Sequence, residues 1–183
     1  MDSSPDQSLT IQLQDEPRRY SPKAVARVST QADLRSIRLA FLHADIDERE
    51  MEIPGDWSGR AVMGFNSAAE LDRDAKTLLV HCGFLAMYAP SIDVESLPTP
   101  KETPFELHAS FRLGYGIKDG SGIEDSDPEE FARTNGLLHA WPYWREIAHS
   151  TTVRFGLAPL LVGTFKLPWI GDPAPRADAK PAD

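Results

Sequence analysis

The sequence predicts an α+β domain, a four-stranded antiparallel sheet with a long helix packed on one face. Three observations lead there. The strand-like segments come first and the main helical segment after them, which is the order of an α+β fold rather than of alternating βα units. Phe105–Ile117 alternates cleanly: Phe105, Leu107, Ala109, Phe111, Leu113 and Tyr115 share one face, and Glu106, His108, Ser110 and Arg112 share the other. That is an antiparallel strand with one side on a core. Leu137–Phe155 reads as a helix whose buried side is unusually aromatic, closed by Gly156 and Pro159.

The other elements follow in order. Ser21-Pro22 supplies a cap and a first-turn proline, so Lys23–Gln31 is expected to form a short helix. Asp33–Ile46 alternates, with Ile37, Leu39 and Phe41 on one side and Arg38 on the other, and is expected to be a strand with one buried face. Asp47–Trp57, charged and holding Pro54-Gly55, reads as a loop. Ala61–Asn66 is a short second strand, and Ser67–Lys76 a turn region. Thr77–Ala89 is apolar nearly throughout and is expected to be a strand buried on both faces for part of its length. Ser91–Thr103, with two prolines, is a loop. Asp127-Pro128-Glu129-Glu130 starts a helix: a cap, a proline, and acids at the positive end of the dipole. Asn135-Gly136 reads as a break, which puts Pro142 in the first turn of a restarted helix, where its missing N–H costs least.

The 183 residues fit one domain with flexible ends: a disordered segment over 1–20, a folded domain over 21–170 and a disordered tail over 171–183. The beginning of the chain lacks the basic start and apolar core of a secretory signal, and no apolar run reaches bilayer length. The lone cysteine, Cys82, reads as a small core residue. Together these features point to the cytoplasm. A formal net charge of -9 argues against nucleic acid and anionic membranes as partners.

Catalytic motifs are weak. The histidines at 43, 81, 108, 139 and 149 fall in separate strand or helix positions without metal-ligand spacing, and there is no nucleophile elbow and no phosphate loop. No enzyme activity, metal or cofactor is expected. The anomaly is apolar residues outside regular elements. Trp57 sits in a charged loop, and Phe165, Leu167 and Trp169 follow Pro159. Such residues either fold back on the core or line a binding surface. Arg145-Glu146 beside Trp144 fits either an intersubunit pair or an intrachain salt bridge.

The run Trp141–Glu146 (WPYWRE), followed by Arg154, Gly156 and Pro159, resembles the SecB family of export chaperones. There a proline-tyrosine-x-arginine-glutamate run leads into a helix, an arginine and glycine, and a proline-rich apolar close. Asp56-Trp57 and Thr103-x-Phe105 are weaker echoes, and the likeness spans roughly Asp33–Ile170. The resemblance implies an ATP-independent holdase for unfolded or preprotein chains in export, assembled as a homotetramer (a dimer of dimers) with helices at the interface. It places clients against Trp57, Phe165, Leu167 and Trp169, and the oligomer contact at Tyr143, Trp144, Arg145 and Glu146. Members dock a SecA-type motor through acids on the sheet face. Glu106 is in that position here, but His108 stands where a second acid is expected. Some SecB-like chaperones instead protect the antitoxin of a toxin–antitoxin pair. The alternative from another class is a small apolar ligand-binding protein, which requires a closed pocket with convergent polar groups.

Overall fold

The computed structural model of the chain describes residues 20–46, 61–88 and 103–165. Trp57, Leu167 and Trp169 lie outside these residues, as do most of both terminal segments. The elements are α1 (Pro22–Ser29), β1 (Ala32–Ile46), β2 (Ala61–Asp72), β3 (Thr77–Tyr88), β4 (Phe105–Ile117), α2 (Asp127–Phe131), a π-helical turn (Ala132–Gly136) and α3 (Leu137–Arg154). The strands form one sheet in the order β1-β4-β3-β2, antiparallel at every pairing. The expected α+β architecture is present, with the long helix packed on one face.

α1 starts as its sequence indicates, with the Ala24 N–H donating to Ser21 Oγ and Pro22 in the first turn. β4 and β3 occupy the middle of the sheet. Phe105, Leu107, Ala109, Phe111, Leu113 and Tyr115 from β4, and Leu78, Val80, Cys82, Phe84, Ala86 and Tyr88 from β3, build the core under the helix. Leu85 and Met87, on the opposite side of β3, are also buried, as a near-continuous apolar strand requires. Cys82 is a core residue, and burial pushes its thiol up to about 12, so it stays protonated.

Three local expectations are corrected. β2 does not end at Asn66 but runs to Asp72, because pairing with β3 carries the small residues Ser67, Ala68 and Ala69 along despite their weak strand preference. β1 is bulged twice, between Leu34 and Ser36 and between Leu39 and Phe41. Each extra residue reverses the alternation, so Phe41 lies on the face opposite Ile37 and Leu39. Asn135-Gly136 does not break the helix. Gly136 has φ -59, and the chain stays helical from Asp127 to Arg154. A Cβ on Gly136 would lie 2.7 Å from Val80 Cγ1, so the glycine is there for close approach to β3 and not for a turn. Pro142 consequently stands inside α3, where it has no N–H to give the Leu138 carbonyl.

Asp127 also differs from expectation. Its buried carboxylate does not cap the helix; it accepts from Arg27 Nε and Nη2 at 2.6 Å each and from the Glu124 N–H at 2.8 Å. This fork ties α1 to the start of α2. Hydrogen bonding to Arg27 and to the Glu124 amide holds the Asp127 carboxyl below its ordinary range, against the opposing effect of burial.

Two outcomes follow from this packing. Gly136→Ala is expected to cost roughly 1–3 kcal/mol in chemical denaturation, because Val80 is held by its neighbours and cannot move aside freely. Asp127 has a folded-state pKa below its unfolded value, so its contribution is present above about pH 4 and is lost as pH falls through the folded value. Asp127→Asn is expected to lower the melting temperature by roughly 5 °C at neutral pH, with the gap from wild type closing in acid.

Candidate functional site

An α-helix with its side chains is about 10 Å across, whereas four strands at about 4.8 Å spacing present a wider face. α3 is seated over β3 and β4. Trp144 stacks on Phe84 at 5.4 Å between ring centroids, and Trp141 meets the same ring edge-on at 5.8 Å. Among the described residues, edge strand β1 is left largely uncovered. On its helix side, Leu34, Leu39 and Leu42 are 43%, 47% and 44% exposed. Leu39 is registered opposite Phe111, whose ring lies 6.3 Å from that of Tyr143 on α3. Ile46 is registered opposite Phe105, which meets Phe155 at 6.3 Å just past the helix end. An apolar strip therefore runs along β1 beside α3, bordered by the exposed rings of Tyr143 and Phe155.

On the solvent side of α3, residues 157–165 double back along the helix. The Leu160 N–H donates to Thr152 Oγ1 at 3.1 Å, and Trp141 Nε1–H donates to the Gly163 carbonyl at 2.8 Å. Leu160 and Val162 turn inward while Leu161 is 73% exposed. Between this segment and the helix lies an open groove of about 380 Å³, lined by Pro142, Arg145, Glu146, His149 and Leu161 among others. Phe165 closes the segment half-buried, 5.0 Å from the Trp141 ring and 5.8 Å from Phe65. It is held in an aromatic cluster.

The expected oligomer-contact residues divide. Tyr143, Arg145 and Glu146 face solvent, and neither Arg145 nor Glu146 makes an ion pair among the described residues. Trp144 is 1% exposed and belongs to this chain's own core, since the helical period that turns Tyr143 outward turns its neighbour onto Phe84. Glu106 lies on the outer sheet face, but its side chain is only 14% exposed and sits 2.6 Å from His108 Nε2. Burial lowers the His108 pKa, as does His43; Glu106 works in the other direction. Sequence reasoning missed Leu34, Leu39, Leu42 and Leu161. Apolar residues at both Phe41 and Leu42 carried the signal, because strict alternation leaves one of any two neighbours on the wet side.

Among the described residues, no group of three or more His, Cys, Asp or Glu side chains is placed to hold a metal. His139 Nδ1 lies 2.9 Å from the Tyr115 hydroxyl, and burial moves the His139 pKa down and the Tyr115 pKa up. That pair sits between α3 and β4, away from the groove. No described helix is long and apolar enough to cross a membrane.

This is the fold of a SecB-like α+β protein. The chain is similar in structure to a Mycobacterium tuberculosis SecB-like chaperone solved in complex with a ChAD peptide from the HigA1 antitoxin. The TM-score is 0.63 at 19% identity, over 78% of this chain and 97% of that one. A Streptococcus agalactiae protein of unknown function aligns over 73% of this chain and 97% of its own, at 12% identity and a TM-score of 0.45. No family model and no curated protein matches the sequence.

Trp141→Phe tests the doubled-back segment. It keeps the ring contacts with Phe65, Phe84 and Phe165 but removes the bond to Gly163. A loss of about 1 kcal/mol is expected in denaturant titration.

Proposed function

We propose that this chain is an ATP-independent holdase that binds unfolded polypeptides, acts in the cytoplasm and works as a homotetramer built as a dimer of dimers. The observation that carries the reading is the uncovered apolar strip of β1 beside α3. Exposed apolar strips of this kind mark interaction surfaces, and a strand edge that has no partner strand among the described residues suits recognition of extended backbone. The strip and the groove at Leu161 are open, so they suit a chain lying across them better than a small ligand enclosed in a pocket. Several weak apolar contacts along one bound chain add up through effective concentration. Tyr143, Arg145 and Glu146 are offered as the contact between subunits, and Phe165, with Trp57, Leu167 and Trp169, as client-facing residues.

Two client classes remain within that function. The antitoxin-protecting reading is favoured by the bound antitoxin peptide of the similar mycobacterial chaperone. The export reading expects free acids on the outer sheet face for a SecA-type motor, and Glu106 is instead paired with His108.

The test is suppression of aggregation of a denatured client at stoichiometric ratios without nucleotide, with light scattering in parallel. Suppression is expected together with a mass about four times 20.3 kDa. Absence of suppression at every ratio would end the proposal. Leu161→Asp is expected to change stability by less than about 0.5 kcal/mol, because the side chain is exposed, while weakening suppression several-fold.

A further inference from the structure

The face of the sheet turned away from the helices carries an arrangement that the holdase reading does not use. Strand register places Arg38 on β1, Arg112 on β4 and His81 on β3 in one row across it. Arg38 and Arg112 are direct cross-strand partners. Arg35, the extra residue at the first bulge, lays its guanidinium flat against Gly116 on the same face. All three arginines are exposed, and none makes an ion pair among the described residues. Like charges directly opposite each other on a sheet are destabilising. This chain has 28 acidic residues against 19 Lys and Arg, so a compensating carboxylate at one of these positions would be easy to supply. The acids on this face are Asp33, registered opposite Gly116 beside Arg35, Glu70 and Asp72 on edge strand β2, and Asp45 with Glu106 three rows from Arg38 and Arg112.

We propose that this face is a docking surface for an extended acidic segment of a partner polypeptide, with Arg35, Arg38 and Arg112 as its anchors. Guanidinium groups bind carboxylates with two parallel hydrogen bonds, and those of this row are free to do so. Between the anchors β4 presents only Gly114 and Gly116 on this face; Ser36 Oγ borders the first and the Arg35 guanidinium covers the second, so a bound chain would meet the arginine there rather than the backbone. Arg112 and Gly116 are four residues apart on β4, about 13 Å along the strand. An extended segment lying along β4 presents alternate side chains to the sheet, so carboxylates four residues apart would meet Arg38 and Arg112 at one end and Arg35 at the other. Phe41, 53% exposed and registered opposite Ser110 on the far side of Arg112 from Gly116, offers an apolar contact for a residue just beyond the Arg38–Arg112 anchor. The acids of the face would repel a longer anionic polymer, and with the net charge of -9 they disfavour nucleic acid there.

The experiment is fluorescence anisotropy of a labelled peptide about nine residues long, with glutamates at alternate positions around a leucine, against the full chain. A glutamine version of the peptide serves as the control. The glutamate peptide is expected to bind at least about tenfold more tightly than the control, and to weaken between about 50 mM and 0.3 M salt. Arg38→Gln with Arg112→Gln is expected to abolish that preference, to leave the melting temperature unchanged or raised, and to leave aggregation suppression as in wild type. That last readout separates this proposal from the holdase reading. No binding of the glutamate peptide, equal binding by the double variant, or displacement by inorganic phosphate at equal charge would each overturn it.

Discussion

The distance of closest approach between α3 and β3 sets the rest of the structure. Gly136 allows the helical rod to drop onto Val80, and from that seating the next turns bring Ala140, Trp144 and Ala148 down in sequence, with Trp144 flat against Phe84. The rod leans toward β2, which α2, the π-helical turn and Trp141 all meet, and away from β1. Phe65 on β2 is met by Trp141 of α3 and by Phe165 of the doubled-back segment. β1 has no equivalent cover among the described residues, and its leucines stay open. The exposed apolar strip is thus a geometric consequence of one tight contact elsewhere, and a bulkier residue at 136 would disturb both together.

The Arg27–Asp127 fork fixes the other end of the rod. α1 has only two buried residues, Ala24 and Val28, too little apolar area to hold a helix of eight residues by packing alone. The bidentate pair, shielded at its carboxylate end, supplies direction as well as attraction, since a planar guanidinium meets a carboxylate in one orientation. Arg73 plays a looser part at the neighbouring turn, donating to the Gly120 and Ile123 carbonyls and to Asp125. Acids that read from sequence as a helix start or a solvated turn thus divide into two kinds, and only burial separates them.

Most of the fold was legible because it rests on patterns that the chain states outright. The alternation of Phe105–Ile117 survives unchanged, and the proline and serine at the start of α1 sit where their chemistry puts them. What was not legible depends on contacts between distant residues. A bulge leaves no mark in composition, so nothing in RLAFLHA says that Ala40 is the extra residue and that Phe41 changes sides. Glycine next to asparagine ordinarily signals a turn, and only the presence of Val80 shows that here it serves close packing. The site was legible in its chemistry and less so in its residues. Aromatic and apolar excess near the main helix pointed toward the candidate strip, but Tyr143 and Trp144 could be sorted to opposite sides only by the phase of the helix against the sheet.

The two faces of the sheet then divide the charge of the molecule in a way its total conceals. Among the described residues the helix side is apolar and open at β1; the outer side carries guanidinium groups on β1 and β4, buried Leu85 and Met87 on β3, and carboxylates on both edge strands. In an acidic chain, long-range attraction draws basic partners toward the molecule as a whole. Within about one Debye length of the outer face, however, the local sign is reversed, because screening at physiological salt leaves only the nearest charges to act. A polypeptide with both basic and acidic stretches would be drawn in by the first and oriented by the second. The β1 strip and the arginine row lie back to back on opposite faces of β1 and β4, so one chain engaging both would have to pass around the β1 edge. That makes β1 the strand on which apolar capture and charge recognition would meet.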